Sequence, residues 1–289
     1  MENLWNTTFN FWIDNADPRG AQWLLTSSVF PIIIIDATFL LLVLHILPSI
    51  LKSKKYENYK FILATYYVIH SLLSAFFACL CIVYLIALHI HTNYHFDLIS
   101  VRCIPIVQSF EGIHYEIAVW MYVWLWFKIS EMIETILIII VYGRTTTFNV
   151  IHHSLHPLML AMGMHFYLGG SGAIFGFLNN VEHAFLYFIV AVRMASNQFK
   201  KRSQPWFKKF HLIISIGALI VSAMFFVPLR ILGPCEYETF NTVIFMCLLI
   251  FLCLSITCRW NYISHKDAFG RTKLIVLINK KVKLISMKH

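Results

Sequence analysis

Residues 117–141 read Ile-Ala-Val-Trp-Met-Tyr-Val-Trp-Leu-Trp-Phe-Lys-Ile-Ser-Glu-Met-Ile-Glu-Thr-Ile-Leu-Ile-Ile-Ile-Val, with Lys128, Glu131 and Glu134 as the charged positions. About 20 apolar residues cross a bilayer as a helix. A backbone in hydrocarbon must satisfy its own hydrogen bonds, and this run is too long and too unalternating for a barrel strand. The stretch therefore predicts a transmembrane helix. Comparable apolar runs lie at Gln22 to Leu51, Phe61 to Leu88, Val150 to Leu168, Gly172 to Val192, Phe210 to Leu229 and Phe240 to Cys258. The fold class expected is an all-α integral membrane protein with seven transmembrane helices. Residues 1–21 form an N-terminal segment, 22–258 one membrane domain, and 259–289 a basic tail.

Composition agrees. Of the 289 residues 59% are hydrophobic and 13% charged, and the mean hydropathy is +0.70, against roughly 25% charged in soluble domains. A soluble domain, a disordered chain and a disulfide-dense mini-protein are excluded. The net charge of +9 could suggest nucleic acid, yet its placement answers the membrane's own demand for cytoplasmic Lys and Arg. Four basic residues fall in the first loop, one at Arg144, six between Arg193 and Lys209 and eight from Arg259 on, which makes 19 of the 23. Arg19, Arg102 and Arg230 fall on the other side. That asymmetry places the N-terminus in the lumen and the C-terminus in the cytosol, with no cleavable signal peptide expected and no nucleic-acid partner.

In this topology Asn6-Thr7-Thr8 is a lumenal glycosylation sequon at Asn6. Cys103 and Cys235 fall in two lumenal loops, where an oxidising compartment makes them natural disulfide partners. The other five cysteines lie in spans or at their ends and read as packing.

Ionisable groups in a span are costly and mark candidate function. Lys128 and Glu131 lie three apart on one helix, about 60° apart around the axis, with Glu134 about 60° further round. An ion pair that only fixes packing is the alternative for these residues. The next span opens Asn149-Val-Ile-His152-His153-Ser154-Leu-His156, where Asn149, His152, His153 and His156 share an arc of about 100°. The following span places Asn179, His183 and Tyr187 at intervals of four, with Glu182 beside them. A turn, Gly169-Gly170-Ser171-Gly172, joins these two spans, so they are expected to pack against each other. Lone His70 and His165 read as core histidines.

Imidazoles can bind a transition metal, but separated histidine boxes on one side are wanting, and no metal site is expected. They can also act as nucleophile or general base in a dry pocket. With no GxSxG elbow and no cysteine beside them, histidine itself would carry the chemistry.

At these residues the chain resembles the ELO family of very-long-chain fatty acid elongases, membrane 3-ketoacyl-CoA synthases. The family motif KxxExxDT is matched by Lys128-Ile-Ser-Glu131-Met-Ile-Glu134-Thr135, with Glu for Asp. HxxHH is matched by Asn149-Val-Ile-His152-His153, with Asn for the first His. NxxxHxxMY is matched by Asn179-Asn-Val-Glu-His183-Ala-Phe-Leu186-Tyr187, with Leu for Met. Motif order, spacing and span number match over nearly the whole chain, and the family also implies the Cys103–Cys235 disulfide.

The resemblance implies an acyltransferase that condenses a long-chain acyl-CoA with malonyl-CoA to 3-oxoacyl-CoA, CoA and carbon dioxide. His152 would take the acyl group as an acyl-imidazole, His153 would orient or deprotonate, and His183 would act on the malonyl unit. Lys128, Glu131, Glu134, Asn149, Asn179 and Tyr187 would line the substrate site. No cofactor is implied beyond the two CoA substrates. The implied setting is the endoplasmic reticulum membrane as a multi-pass protein, with membrane lipid, a 3-ketoacyl-CoA reductase, a dehydratase and an enoyl-CoA reductase as partners and room for a homodimer. Asn149 cannot take up a proton as histidine does, which leaves a catalytically inactive partner of the elongation complex as an alternative. A seven-helix receptor shares the topology but would want a DRY-type ending at Tyr142-Gly143-Arg144 and an NPxxY motif in the last span, and both are missing.

Overall fold

Pro31 and Pro48 punctuate the first long helix for opposite reasons. Pro31 sits in its first turn, where the missing N–H would be unsatisfied in any case. Pro48 lies inside the run, where its ring would press on the carbonyl four residues back. The backbone widens into a π-helical stretch at Leu42–Ile46, which includes that carbonyl at Leu44, and the helix continues through Leu47–Leu51.

A computed structural model of the chain describes residues 14–52, 56–92, 107–166, 168–170 and 172–196, together with positions 198, 199, 203 and 213. Within these, the helices are α1 (Phe30–Leu51), α2 (Lys60–Thr92), α3 (Gly112–Ser130), α4 (Met132–Tyr142), α5 (Thr147–Phe166) and α6 (Gly172–Ala195). No strand occurs among the described residues. Among the described residues two stretches, Phe30–Leu51 and Glu57–Ala87, are long and apolar enough to cross a membrane by length and composition. The expected spans Phe210 to Leu229 and Phe240 to Cys258, the pair Cys103 and Cys235, Asn6 and the basic tail lie outside the described residues.

Three local expectations are revised. The first span does not begin as helix at Gln22: a short 3-10 turn at Gly20–Gln22 precedes further turns, and helix starts only at Phe30. The span from Ile117 to Val141 is not one regular helix, because Glu131 forms a tightened turn between α3 and α4. There the Glu131 amide donates to the Lys128 carbonyl (3.3 Å) and the Glu134 amide to the Glu131 carbonyl (3.0 Å), both at the shorter three-residue spacing.

The third revision concerns α5 and α6. The turn that joins them holds Gly169 and Gly170 at φ +122° and +60°, values that favour glycine. Instead of lying flat on α5, α6 runs along α2, where the Ser71 hydroxyl donates to the Ala184 carbonyl (2.8 Å). Helix α5 packs on α1 and α3, and α4 leans on α2 and α5. A glycine turn sets chain direction but not the neighbour, which is chosen by the faces that match.

The core forms beneath this arrangement. Met121, Trp124, Leu125 and Phe127 of α3 meet Ala161 and Met164 of α5, Phe77 and Tyr84 of α2, and Ile32 of α1. At the end where α5 turns into α6, residues 14–28 fold back as a strap. Arg19 and Asp17 are both almost fully buried and paired at 2.6 Å, and Arg19 also donates to the carbonyls of His114 (2.9 Å) and Leu168. His165 Nδ1 lies 2.6 Å from the Thr26 carbonyl, so His165 is the core histidine expected. His70 is too: it stacks on Tyr66 and Phe127 at 4.0 and 4.9 Å between centroids.

Candidate active site

The tightened turn at Glu131 brings three charged groups of α3 and α4 into one buried place. Lys128 Nζ sits 2.6 Å from Glu131 Oε1, with side-chain exposures of 0% and 2%. The ammonium also lies 5.8 and 5.4 Å from the ring centres of Trp124 and Phe127, whose π faces favour a cation. Desolvation of a lone charge at such depth would be prohibitive, and the pairing is what permits it.

Glu131 has a second partner across the bundle: His183 Nδ1 of α6 lies 3.3 Å from the same oxygen that meets Lys128. Glu134 faces the other way. Its Oε1 accepts from the Tyr67 hydroxyl of α2 (2.9 Å), its Oε2 accepts from the Tyr187 hydroxyl of α6 (3.0 Å), and His153 Nε2 of α5 lies 3.4 Å from Oε2. Two carboxylate–histidine pairs therefore stand side by side, Glu131 with His183 and Glu134 with His153. A carboxylate beside an imidazole fixes the ring and favours one tautomer, which is the usual way to orient a histidine for proton transfer.

His152 sits among them. Its ring centre is 5.2 Å from that of His153, 5.4 Å from that of His156 and 6.0 Å from that of His183, the last with planes only 24° apart. The α5 and α6 stripes foreseen from periodicity thus converge, with the imidazoles of His152 and His183 stacked between the two helices. His153 and His183 are buried, whereas His152 is half-buried. His183 and Tyr187 also touch edge to face at 5.0 Å.

Asn149 and Asn179 differ in their engagement. Asn149 lies at the start of α5, where its amide donates to Thr146 Oγ1 (3.2 Å) and its Oδ1 accepts from the Thr146 hydroxyl (3.1 Å). The first of these bonds is an N-cap by Thr146, and the second ties the two side chains together. Asn179 Oδ1 is buried and has no hydrogen-bond partner among the described residues, so it keeps an acceptor for a ligand. The adjacent Asn180 is occupied structurally: it accepts from Trp124 Nε1 (3.2 Å) and donates to the Gly176 carbonyl (2.7 Å).

Tyr67 and Asp36 were not singled out from the sequence. Tyr67 follows Tyr66 in an apolar helix, and nothing local distinguishes it from an interfacial aromatic. Asp36 could have been found by the rule that picked Lys128, since it is the one acid in the run Phe30–Leu51. No group of three or more His, Cys, Asp or Glu side chains among the described residues has metal-binding geometry.

These helices and motif residues can be set beside known proteins. The ELO family (GNS1/SUR4 family) model matches residues 24–284, and the chain belongs to that family, whose elongases are membrane proteins. The chain is 26% identical over 232 residues to very long chain fatty acid elongase 7 of Drosophila melanogaster, covering 78% of this chain and 66% of that protein. It is 25% identical over 234 residues to very long chain fatty acid elongase 7 of Rattus norvegicus, covering 80% and 79%. A very long chain fatty acid elongase of Aedes aegypti matches at 27% over 203 residues, 68% of this chain and 52% of the relative. The alignments thus span between about half and four fifths of these relatives' lengths.

Proposed function

We propose that this protein is a fatty acid elongase that condenses a long-chain acyl-CoA with malonyl-CoA. Family membership and the relatives' names support a role in fatty acid elongation. The observation that carries the finer reading is the pair of carboxylate–histidine contacts, Glu131–His183 and Glu134–His153, flanking His152 in a buried setting.

In this reading an imidazole nitrogen of His152 attacks the thioester carbonyl and CoA leaves with a proton, so that the acyl chain is held as an acyl-imidazole. Malonyl-CoA then loses carbon dioxide, and the resulting enolate attacks the acyl carbon and expels the imidazole. The product is a 3-oxoacyl-CoA two carbons longer. His153, held against Glu134, orients or takes the proton. His183, held against Glu131, meets the developing negative charge of the malonyl unit. Lys128 supplies positive charge near the same carboxylate, and Asn179 and Tyr187 line the pocket.

The same reading places seven helices in the endoplasmic reticulum membrane as a multi-pass domain over residues 22–258, with the N-terminus lumenal and the tail 259–289 cytosolic. A Cys103–Cys235 disulfide and a glycan on Asn6 belong to the lumenal side. The partners are the reductases and dehydratase that complete each cycle, and a homodimer is admitted.

The test is malonyl-CoA-dependent elongation by microsomes expressing the protein, over a panel of saturated and unsaturated acyl-CoAs, with His152→Ala alongside. Two-carbon extension that the substitution abolishes is the expected result. No extension from well-expressed, correctly localised protein would overturn the reading in favour of an inactive partner, and Asn149→His is then the reversion to make.

A further inference from the structure

Helix α1 carries a carboxylate where an apolar span has no need of one. Asp36 stands in Pro31-Ile-Ile-Ile-Ile-Asp36-Ala-Thr-Phe-Leu-Leu, is 8% exposed, and accepts from the Ser154 hydroxyl of α5 at 2.9 Å. Its other oxygen, Oδ1, has no hydrogen-bond partner among the described residues. A serine inside a helix ordinarily bonds back to a carbonyl of its own preceding turn. Ser154 instead reaches across to another helix.

Ser154 directly follows His152 and His153, and Pro157 lies one turn further along inside α5. Proline has no N–H, so the amide that would have held the His153 carbonyl is missing, and the helix is weakened just beyond the histidines. The turn bearing His152, His153 and Ser154 therefore has one backbone tie fewer to the rest of α5, which continues as helix through Pro157. It is held from two sides: His153 against Glu134 of α4, and Ser154 against Asp36 of α1.

We infer that Asp36 is a positioning residue, whose hydrogen bond to Ser154 fixes the rotation of the histidine-bearing turn so that His152 and His153 keep their alignment with Glu134 and His183. The inference rests on the reading of these histidines as the reacting groups. Asp36 touches none of the reacting atoms itself. Its effect reaches them through the Ser154 hydroxyl and one peptide unit of α5.

The experiment compares Asp36→Leu, Asp36→Asn and Ser154→Ala in the full-length protein in membranes, each checked for folding by thermal melting after detergent extraction. In the elongation assay, Asp36→Leu and Ser154→Ala lower turnover about tenfold while KM for acyl-CoA stays within about twofold, because a small misplacement of a reacting group acts on kcat. Asp36→Asn retains an acceptor for the hydroxyl and restores most of the rate. Equal loss in Asp36→Asn and Asp36→Leu, or wild-type turnover in Ser154→Ala, overturns the inference. If Asp36→Leu does not fold, Ser154→Ala decides alone.

A second readout does not depend on activity. Carbethoxylation of His153 by diethylpyrocarbonate, followed by peptide mass spectrometry, runs severalfold faster in Ser154→Ala than in wild type or Asp36→Asn when the turn is released. Unchanged rates overturn the positioning role. Wild-type protein that elongates nothing would overturn the proposed function, and the modification rates would still decide whether Asp36 holds the turn.

Discussion

Tyr67 of α2 and Tyr187 of α6 grip the same carboxylate from opposite sides, one hydroxyl on each oxygen of Glu134 at 2.9 and 3.0 Å. Their rings lie 5.6 Å apart between centroids. With both oxygens engaged by hydroxyl donors, Glu134 cannot swing away from His153, whose Nε2 lies 3.4 Å from Oε2.

Replacing Glu134 by Ala leaves two buried tyrosine hydroxyls without their acceptor, at about 1–3 kcal/mol each. The thermal midpoint of the detergent-extracted protein should fall markedly, and elongation should be lost. Glu134→Gln keeps one carbonyl acceptor and should melt closer to wild type while elongating at least about tenfold more slowly, because an amide cannot support a protonated imidazole. Equal rates for Gln and wild type would remove Glu134 from the chemistry.

Tyr67→Phe removes one donor while preserving the ring. Its cost should be about 1 kcal/mol, the usual net value of one hydrogen bond. Tyr187→Phe should cost a similar amount, and the double variant should be non-additive, because the two hydroxyls share one carboxylate. Denaturation midpoints of the four proteins measure the coupling.

Lys128→Met should be among the most damaging single changes, since it strands Glu131, at about 3–5 kcal/mol. The double variant Lys128→Met/Glu131→Gln removes both charges and should recover much of the folded yield without restoring elongation. Expression level and elongation rate, read on the same membranes, separate the two effects. Full recovery of elongation in the double variant would reduce the pair to a packing device.

At the opposite end of the bundle, Gly20→Ala should destabilise. A Cβ at that position would lie 2.8 Å from Leu168 Cδ1 and 3.4 Å from the Met164 carbonyl oxygen. Overpacking of this kind costs about 1–3 kcal/mol. Arg19→Met should cost more, about 3–5 kcal/mol, because Asp17 would lose its buried partner. Thermal melting checks both, and a midpoint unchanged in Arg19→Met would show the strap to be dispensable.

Much of this site was legible along the chain because it obeys local periodicities. Lys128 and Glu131 are three apart, and Asn179, His183 and Tyr187 four apart, so each set falls on one face of any helix that forms. Apolar length fixed the helical character of the described spans in the same way, without reference to any neighbour. Those are properties of one segment at a time.

What tertiary structure decided concerns the choice of partner. Nothing in the residues around Tyr67 says that its hydroxyl meets Glu134, 67 positions away, and nothing around Asp36 says that it meets Ser154, 118 positions away. The glycine turn suggested that α5 and α6 would lie together, whereas α6 packs mainly along α2 and meets α5 through the stacked rings of His152 and His183. The tightened turn at Glu131 and the buried strap at Asp17 and Arg19 were likewise unmarked by composition. The sequence by itself determined the helical character of the described spans and which of their faces are polar, because those depend on spacing within a few turns. Which carboxylate holds which histidine depends on how several helices settle against one another, and that was decided only by the packed structure.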